Sequence, residues 1–187
     1  MPRNPKSHAS PARLPAQDRT IVLVGLMGAG KSTVGRRLAA RLGMDFIDAD
    51  EEIERAAGMS IAEMFEKYGE AAFRDGERRV IARIIHGPAC VLATGGGAFV
   101  NDETRALILA EALAIWLDAD VDTLAARVAR RSTRPLLVGK DPRVVLTDLA
   151  AQRNPLYAEA QLRVPSASAP HEVTVDAIMK ALETCRT

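Results

Sequence analysis

The stretch TIVLVGLMGAGKSTVG, residues 20–35, decides the fold. TIVLVG is a short apolar run without polar alternation, the pattern of a strand covered on both faces. Glycines at 25, 28, 30 and 35 then crowd around Lys31, and from Lys31 onward Val34, Leu38 and Leu42 recur on one helical face until Gly43. Between strand and helix, GLMGAGKS fits the pattern G-x-x-x-x-G-K-[ST] at Gly25, Gly30, Lys31 and Ser32. Glycines let the backbone turn tightly enough for its N–H groups to converge on phosphate oxygens, and the helix that follows adds the positive end of its dipole. Lys31 is expected to reach the β and γ phosphates of a nucleoside triphosphate, and the Ser32 hydroxyl to ligate Mg²⁺. A glycine turn without a ligand would leave a lysine at its mouth unexplained.

Outward from this stretch, short apolar runs alternate with helical patterns. DFIDAD (45–50), ACVLATGGG (89–97), LAIWLDA (113–119) and the weaker LRVPSAS (162–168) read as further strands. Helices are expected near 49–57, 60–86, 103–111, 120–131, 141–158 and 171–185. This alternation predicts an α/β three-layer fold with a parallel sheet of five strands, because parallel strands need crossover connections. Ligands then bind beyond the carboxyl ends of the strands, where the glycine clusters fall.

The whole-chain properties narrow the function. The chain has 187 residues, 48% of them apolar, enough for one globular domain with a sizeable core. Lys and Arg number 25 against 24 Asp and Glu, so no global basic field exists to draw in nucleic acid or a membrane surface. Twenty of the cations are arginine, whose rigid fork holds carboxylates and phosphates by paired hydrogen bonds, although an arginine-rich composition explains any one of them equally well. Cys90 and Cys185 form no CxxC pair and read as reduced thiols, Cys90 as a core filler in a strand; His8, His86 and His171 lack metal-ligand spacing. No apolar run approaches the ~18 residues that span a bilayer, so a membrane protein is not expected. Residues 1–18 hold four prolines and are basic, which raises a transit peptide; the prolines oppose the amphipathic helix such a peptide needs, and a disordered tail on a bacterial-type cytoplasmic protein is expected instead.

The phosphoryl acceptor has to be sought in separate segments. Asp48 and Asp50 end the second strand: Asp48 can hold a magnesium-bound water and Asp50 can take a hydrogen bond from an attacking hydroxyl, but either can instead cap the next helix. Arg74 lies on a long helix in AAFRDGERR; Gly95, Gly96 and Gly97 close the third strand; Arg130, Arg131 and Arg134 lie in ARRSTRPLL; Arg153 lies in RNPLY. Singly, such arginines are ordinary surface residues. Beside glycine-rich strand ends they look like receptors for an anionic substrate.

GLMGAGKST, DADEEIE, FRDGE, TGGGA, RPLL and RNPLY, in this order, resemble the shikimate kinase family over essentially residues 19–184. The resemblance implies a P-loop NTPase fold of the nucleoside-monophosphate-kinase type, with sheet order 2-3-1-4-5. It implies a single kinase domain over 19–187, with a substrate-binding helical region at about 49–86 and a lid at about 130–143. It also implies the reaction, MgATP phosphorylating the 3-hydroxyl of shikimate. Nucleotide contacts are then expected at Gly28, Ala29, Gly30, Lys31, Ser32, Thr33, Arg131 and Arg134. Asp50 resembles the carboxylate that orients or deprotonates the nucleophile, Arg74 and Arg153 the pair gripping the shikimate carboxylate, and Gly95, Gly96 and Gly97 the loop closing on the substrate. Ser32 and Asp48 are the expected metal side, Lys31, Asp50 and Arg134 the catalytic set. Only Ser132 and Thr133 separate Arg131 from Arg134, a shorter lid than some members carry, so Arg130 can exchange duties with Arg131. Within the same superfamily a gluconate kinase or nucleoside monophosphate kinase would keep the cradle and change the acceptor pocket; a nucleotide-dependent regulator would need an added recognition domain, for which residues 1–18 are too short. A monomer is expected, because no long apolar face is left over once the core is assigned.

Overall fold

The strand β1, Ile21–Val24, lies at the centre of the sheet with all four side chains fully buried. The computed structural model describes residues 18–130, 141–167 and 169–184. β1 is flanked by β3 (Cys90–Ala93) and β4 (Leu113–Asp118); β2 (Asp45–Asp48) and β5 (Leu162–Pro165) form the edges. All pairings are parallel, with Ile21 opposite Val91 on one side and Leu113 on the other, and the order is β2-β3-β1-β4-β5. The middle strands are apolar but for Asp118 at the end of β4, because helices cover both faces, whereas both edge strands carry charge. Arg163 on β5 binds Asp118 of β4 through Nε at 3.0 Å and lies 4.7 Å over the Trp116 ring, and Pro165, which has no N–H to give a neighbour, stands on this edge strand.

The crossovers are α1 (Lys31–Leu42), α2 (Ala49–Ala57) with α3 (Ile61–Ile85), α4 (Asp102–Glu111), and α5 (Val121–Ala129) with α6 (Pro142–Tyr157); α7 (His171–Thr184) follows β5 and packs on α1. Each end has a local cause. Gly43 closes α1 in the left-handed region at φ 65°, and Ser60 opens α3 with a reciprocal cap in which Glu63 accepts the Ser60 N–H at 2.7 Å. Ile53, Met64 and Phe73 make a small second core, so α2 and the start of α3 pack on each other beside the main sheet.

One expected element differs. The helix read as continuous over 60–86 is broken at Gly69, whose φ of 79° is outside the helical range and easily reached only without a Cβ. Cys90 is buried in β3, and no helix among the described residues is long and apolar enough to cross a membrane. The proposed tail up to residue 17 and most of the proposed lid, 131–140, lie outside the described residues.

Candidate active site

The loop after β1 is built to receive an anion. Gly25, Gly28 and Gly30 all take positive φ, at 139°, 84° and 91°. Gly30 serves as N-cap of α1 with no side-chain cap, and no acidic residue stands in the first turn. The leading N–H groups of α1 therefore face the site without competition from a carboxylate of their own turn. Lys31 folds back over the loop and donates to the carbonyls of Gly25 at 2.7 Å and Leu26 at 3.0 Å. Ala29 stands apart from its neighbours: its side chain is buried and its N–H donates to the Leu26 carbonyl at 3.2 Å.

At the ends of β2 and β3 the two aspartates divide their duties. Asp48 is the helix cap, its Oδ1 accepting the Asp50 N–H at 3.1 Å while its Oδ2 accepts the Ser32 hydroxyl at 2.7 Å. Asp50, in the first turn of α2, turns its carboxylate toward Gly95, where a Cβ would lie 2.8 Å from Oδ1. The capping role open to both in the sequence thus falls to Asp48.

Each glycine of the triplet meets a different charged side chain. Gly95 faces Asp50 and, at 3.3 Å from the same Cβ position, Glu77 Oε1. The Gly96 carbonyl accepts from Arg153 Nη1 at 3.1 Å and from the Tyr157 hydroxyl. At Gly97 a Cβ would collide with the Arg74 guanidinium, 2.8 Å from its Cζ. Any side chain at 95 or 97 would push a charged group out of place, which explains small residues there in terms of contact rather than turn geometry. Arg74 is itself held by Glu77, 2.6 Å away and 1% exposed. Burial pushes the Glu77 carboxyl above its usual range, against the pull of Arg74 and with the Asp50 charge adding to the rise. Burial likewise raises the Tyr157 phenol, with the nearby Arg153 opposing.

A cavity of about 600 Å³ joins the two halves. Gly28, Gly30, Lys31, Ser32 and Thr33 line it on the loop side, and Asp48, Asp50, Gly95 and Gly96 on the other. Arg74, Gly97 and Arg153 are not part of that lining; they reach it through the triplet. Arg130, exposed, lines the mouth, and Arg131 and Arg134 lie outside the described residues. Sequence reasoning assigned no role to Glu77, Tyr157, Arg127 or Ser166. Glu77 and Tyr157 stand inside FRDGE and RNPLY, three and four residues beyond the arginines already singled out, and that helical spacing was the available signal.

A glycine loop between strand and helix, opening on one cavity shared with a carboxylate and a glycine triplet backed by two anchored arginines, defines a P-loop small-molecule kinase. The family model for shikimate kinase matches residues 27–183. A shikimate kinase from Caulobacter vibrioides is 62% identical over 168 residues, 90% of this chain and 84% of that protein. The structure of shikimate kinase from Acinetobacter baumannii in complex with shikimate superposes with a TM-score of 0.86 at 37% identity, covering 91% of this chain and 96% of that one. A gluconokinase from Sinorhizobium meliloti 1021 has a TM-score of 0.63 at 18% identity over 90% of this chain and 93% of its own, a likeness of fold alone. The chain belongs to the shikimate kinase family.

Proposed function

We infer that the protein transfers the γ-phosphoryl group of ATP to the 3-hydroxyl of shikimate, releasing shikimate 3-phosphate and ADP in the route to chorismate and the aromatic amino acids. The observation that carries this is the set of contacts on Gly95–Gly97: a carboxylate on one side, two arginines on the other, facing the phosphate loop across one cavity. That layout suits a small polyol carrying a carboxylate, with the arginines taking the anion and Asp50 a ring hydroxyl.

The γ phosphate departs through a loose transition state with little early proton transfer, so alignment and charge neutralisation carry most of the rate. Asp50 therefore orients the 3-hydroxyl toward the γ phosphorus and takes its proton late. Arg74 and Arg153 grip the carboxylate and fix the ring, while the triplet closes on it. Gly28, Gly30 and Thr33 contribute backbone N–H groups to the phosphates, and Lys31 exchanges loop carbonyls for phosphate oxygens. Ser32 and Asp48, an oxygen pair 2.7 Å apart beside the loop, fit a hard divalent cation held directly by the hydroxyl and through water by the carboxylate. When bound, Mg²⁺ supplies charge neutralisation for the β and γ oxygens. Arg134 completes the set on the transferring phosphate, and Arg131 or Arg130 packs near the base.

Phosphorus and proton NMR of the product tests this reading. A phosphate monoester at the 3-position of shikimate is expected, in step with ADP; esterification at another hydroxyl would mean that Asp50 does not address the nucleophile.

A further inference from the structure

The two halves of the cavity meet at Gly96. A Cβ on this glycine would lie 3.6 Å from Met27 N and 3.8 Å from Gly25 O, so the triplet runs directly beside the phosphate loop. The Gly96 carbonyl takes two donors from α6, Arg153 Nη1 at 3.1 Å and the Tyr157 hydroxyl. These donors differ in freedom: Arg153 is partly exposed, whereas Tyr157 is fully enclosed. The Tyr157 ring stacks on Phe99, centroids 6.3 Å apart, in the 3-10 turn Ala98–Val100 that follows the triplet. It also lies 6.2 Å from the Trp116 ring of β4. Trp116 in turn reaches the phosphate loop, because its Cδ1 would be 3.4 Å from a Cβ at Gly25 and its backbone pairs with Val24 just before that glycine. Tyr157 therefore touches the triplet through its hydroxyl and the loop through one intervening ring. Close-packed rings leave little room for either to shift. Burial raises the phenol above its ordinary pKa, so it keeps its proton and remains a donor at neutral pH.

We propose that Tyr157 is a positioning residue that sets the spacing between the glycine triplet and the phosphate loop, and with it the approach of the acceptor hydroxyl to the γ phosphorus. This rests on the proposed kinase reaction, in which the acceptor lies against the triplet. Phosphoryl transfer is sensitive to such spacing, since a misplacement of about 1 Å can cost about a hundredfold in rate. Arg153 does not replace the phenol, because a flexible side chain shared with the acceptor's carboxylate is not a fixed anchor. Nucleotide affinity does not depend on Tyr157, because the loop N–H groups and Lys31 hold the phosphates by themselves.

The test is Tyr157→Phe, which removes the hydroxyl and keeps the ring, read beside wild type for kcat, both KM values, and the affinity and stoichiometry of ADP binding by calorimetry. Loss of one buried donor from the Gly96 carbonyl is expected to lower kcat about ten- to a hundredfold, with both KM values and ADP affinity within about threefold. ADP stoichiometry should be unchanged. A normal kcat would overturn the proposal, as would kcat and ADP stoichiometry falling together, which would mean lost folded protein. A rise confined to the shikimate KM would also overturn it, because the hydroxyl would then serve only the grip of Arg153. If Tyr157→Phe does not fold, Trp116→Phe decides: a kcat loss of about three- to tenfold with both KM values kept supports the spacing, and an unchanged kcat removes it. Should wild type phosphorylate a different acceptor, the proposed reaction falls, and the same kcat comparison with that acceptor judges Tyr157.

Discussion

The two halves of the cavity are made in opposite ways. The phosphate side is one continuous stretch, residues 25–33, that acts through backbone N–H groups and a single lysine. The acceptor side is assembled from four segments, around 48–50, 74–77, 95–97 and 153–157, and acts through side chains meeting on three glycines. A continuous backbone device serves any nucleoside triphosphate and recurs across kinases with unrelated acceptors. In the proposed function the discontinuous device carries the substrate choice, and it is fixed only by the sheet order and helix packing that bring those segments together.

The sharpest separation between the halves should come from Lys31→Met and Asp50→Asn. Both are expected to lower kcat by about a hundred- to a thousandfold or more, since each removes a group acting on the transferring phosphoryl or its acceptor. Only Lys31→Met should also weaken ADP binding, measured by calorimetry; near-normal turnover by Asp50→Asn would remove its assigned role. Next in size, Arg153→Ala should raise the shikimate KM about ten- to a hundredfold while leaving nucleotide affinity within about twofold, as expected for one charged donor lost from a carboxylate. An unchanged shikimate KM would place the carboxylate elsewhere.

A smaller effect distinguishes contacts within the triplet. Gly97→Ala drives a methyl into the Arg74 guanidinium, whereas the nearest atoms to a Cβ at Gly96 are 3.6 and 3.7 Å away, ordinary contact distances. Gly97→Ala should therefore raise the shikimate KM about fivefold more than Gly96→Ala, in keeping with about 1 kcal/mol, the low end of local overpacking. The reverse ranking would contradict the contact argument.

The smallest effect is one of stability. The folded pKa of Glu77 stands above the ordinary 4.5, so the folded protein binds the proton more tightly than the unfolded chain. Stability from this group is accordingly present at low pH and lost as pH rises from about 4.5 through the folded value. Glu77→Gln lacks that titration, so its melting temperature relative to wild type should improve as pH rises through the window. A difference that is flat, or that moves the other way, would mean the Arg74 charge outweighs burial.

The same contrast explains what could be read in the sequence. Short apolar runs, the glycine-lysine loop and the helix stop at Gly43 act over a few neighbouring residues, so β1 to β5 and the loop at 25–33 were legible directly. The sheet order came from family resemblance, because periodicity says nothing about which strands become neighbours. Asp50, Arg74 and Arg153 were visible as residue types and not as a pocket until the fold joined them. Arg127 and Ser166 lie 39 residues apart and act on carbonyls, which every residue has, so no motif marks them. Gly69 was one glycine inside a long apolar-periodic helix, and the pattern on both sides of it hid the break.

The most direct test of the account is an ADP-release assay with MgATP, comparing shikimate with quinate, gluconate and a set of nucleoside monophosphates. The acceptor pocket described here predicts strong turnover confined to shikimate. Turnover of gluconate or a nucleoside monophosphate in its place would leave the phosphate loop standing and contradict the assignment of Asp50, Arg74, Arg153 and the glycine triplet.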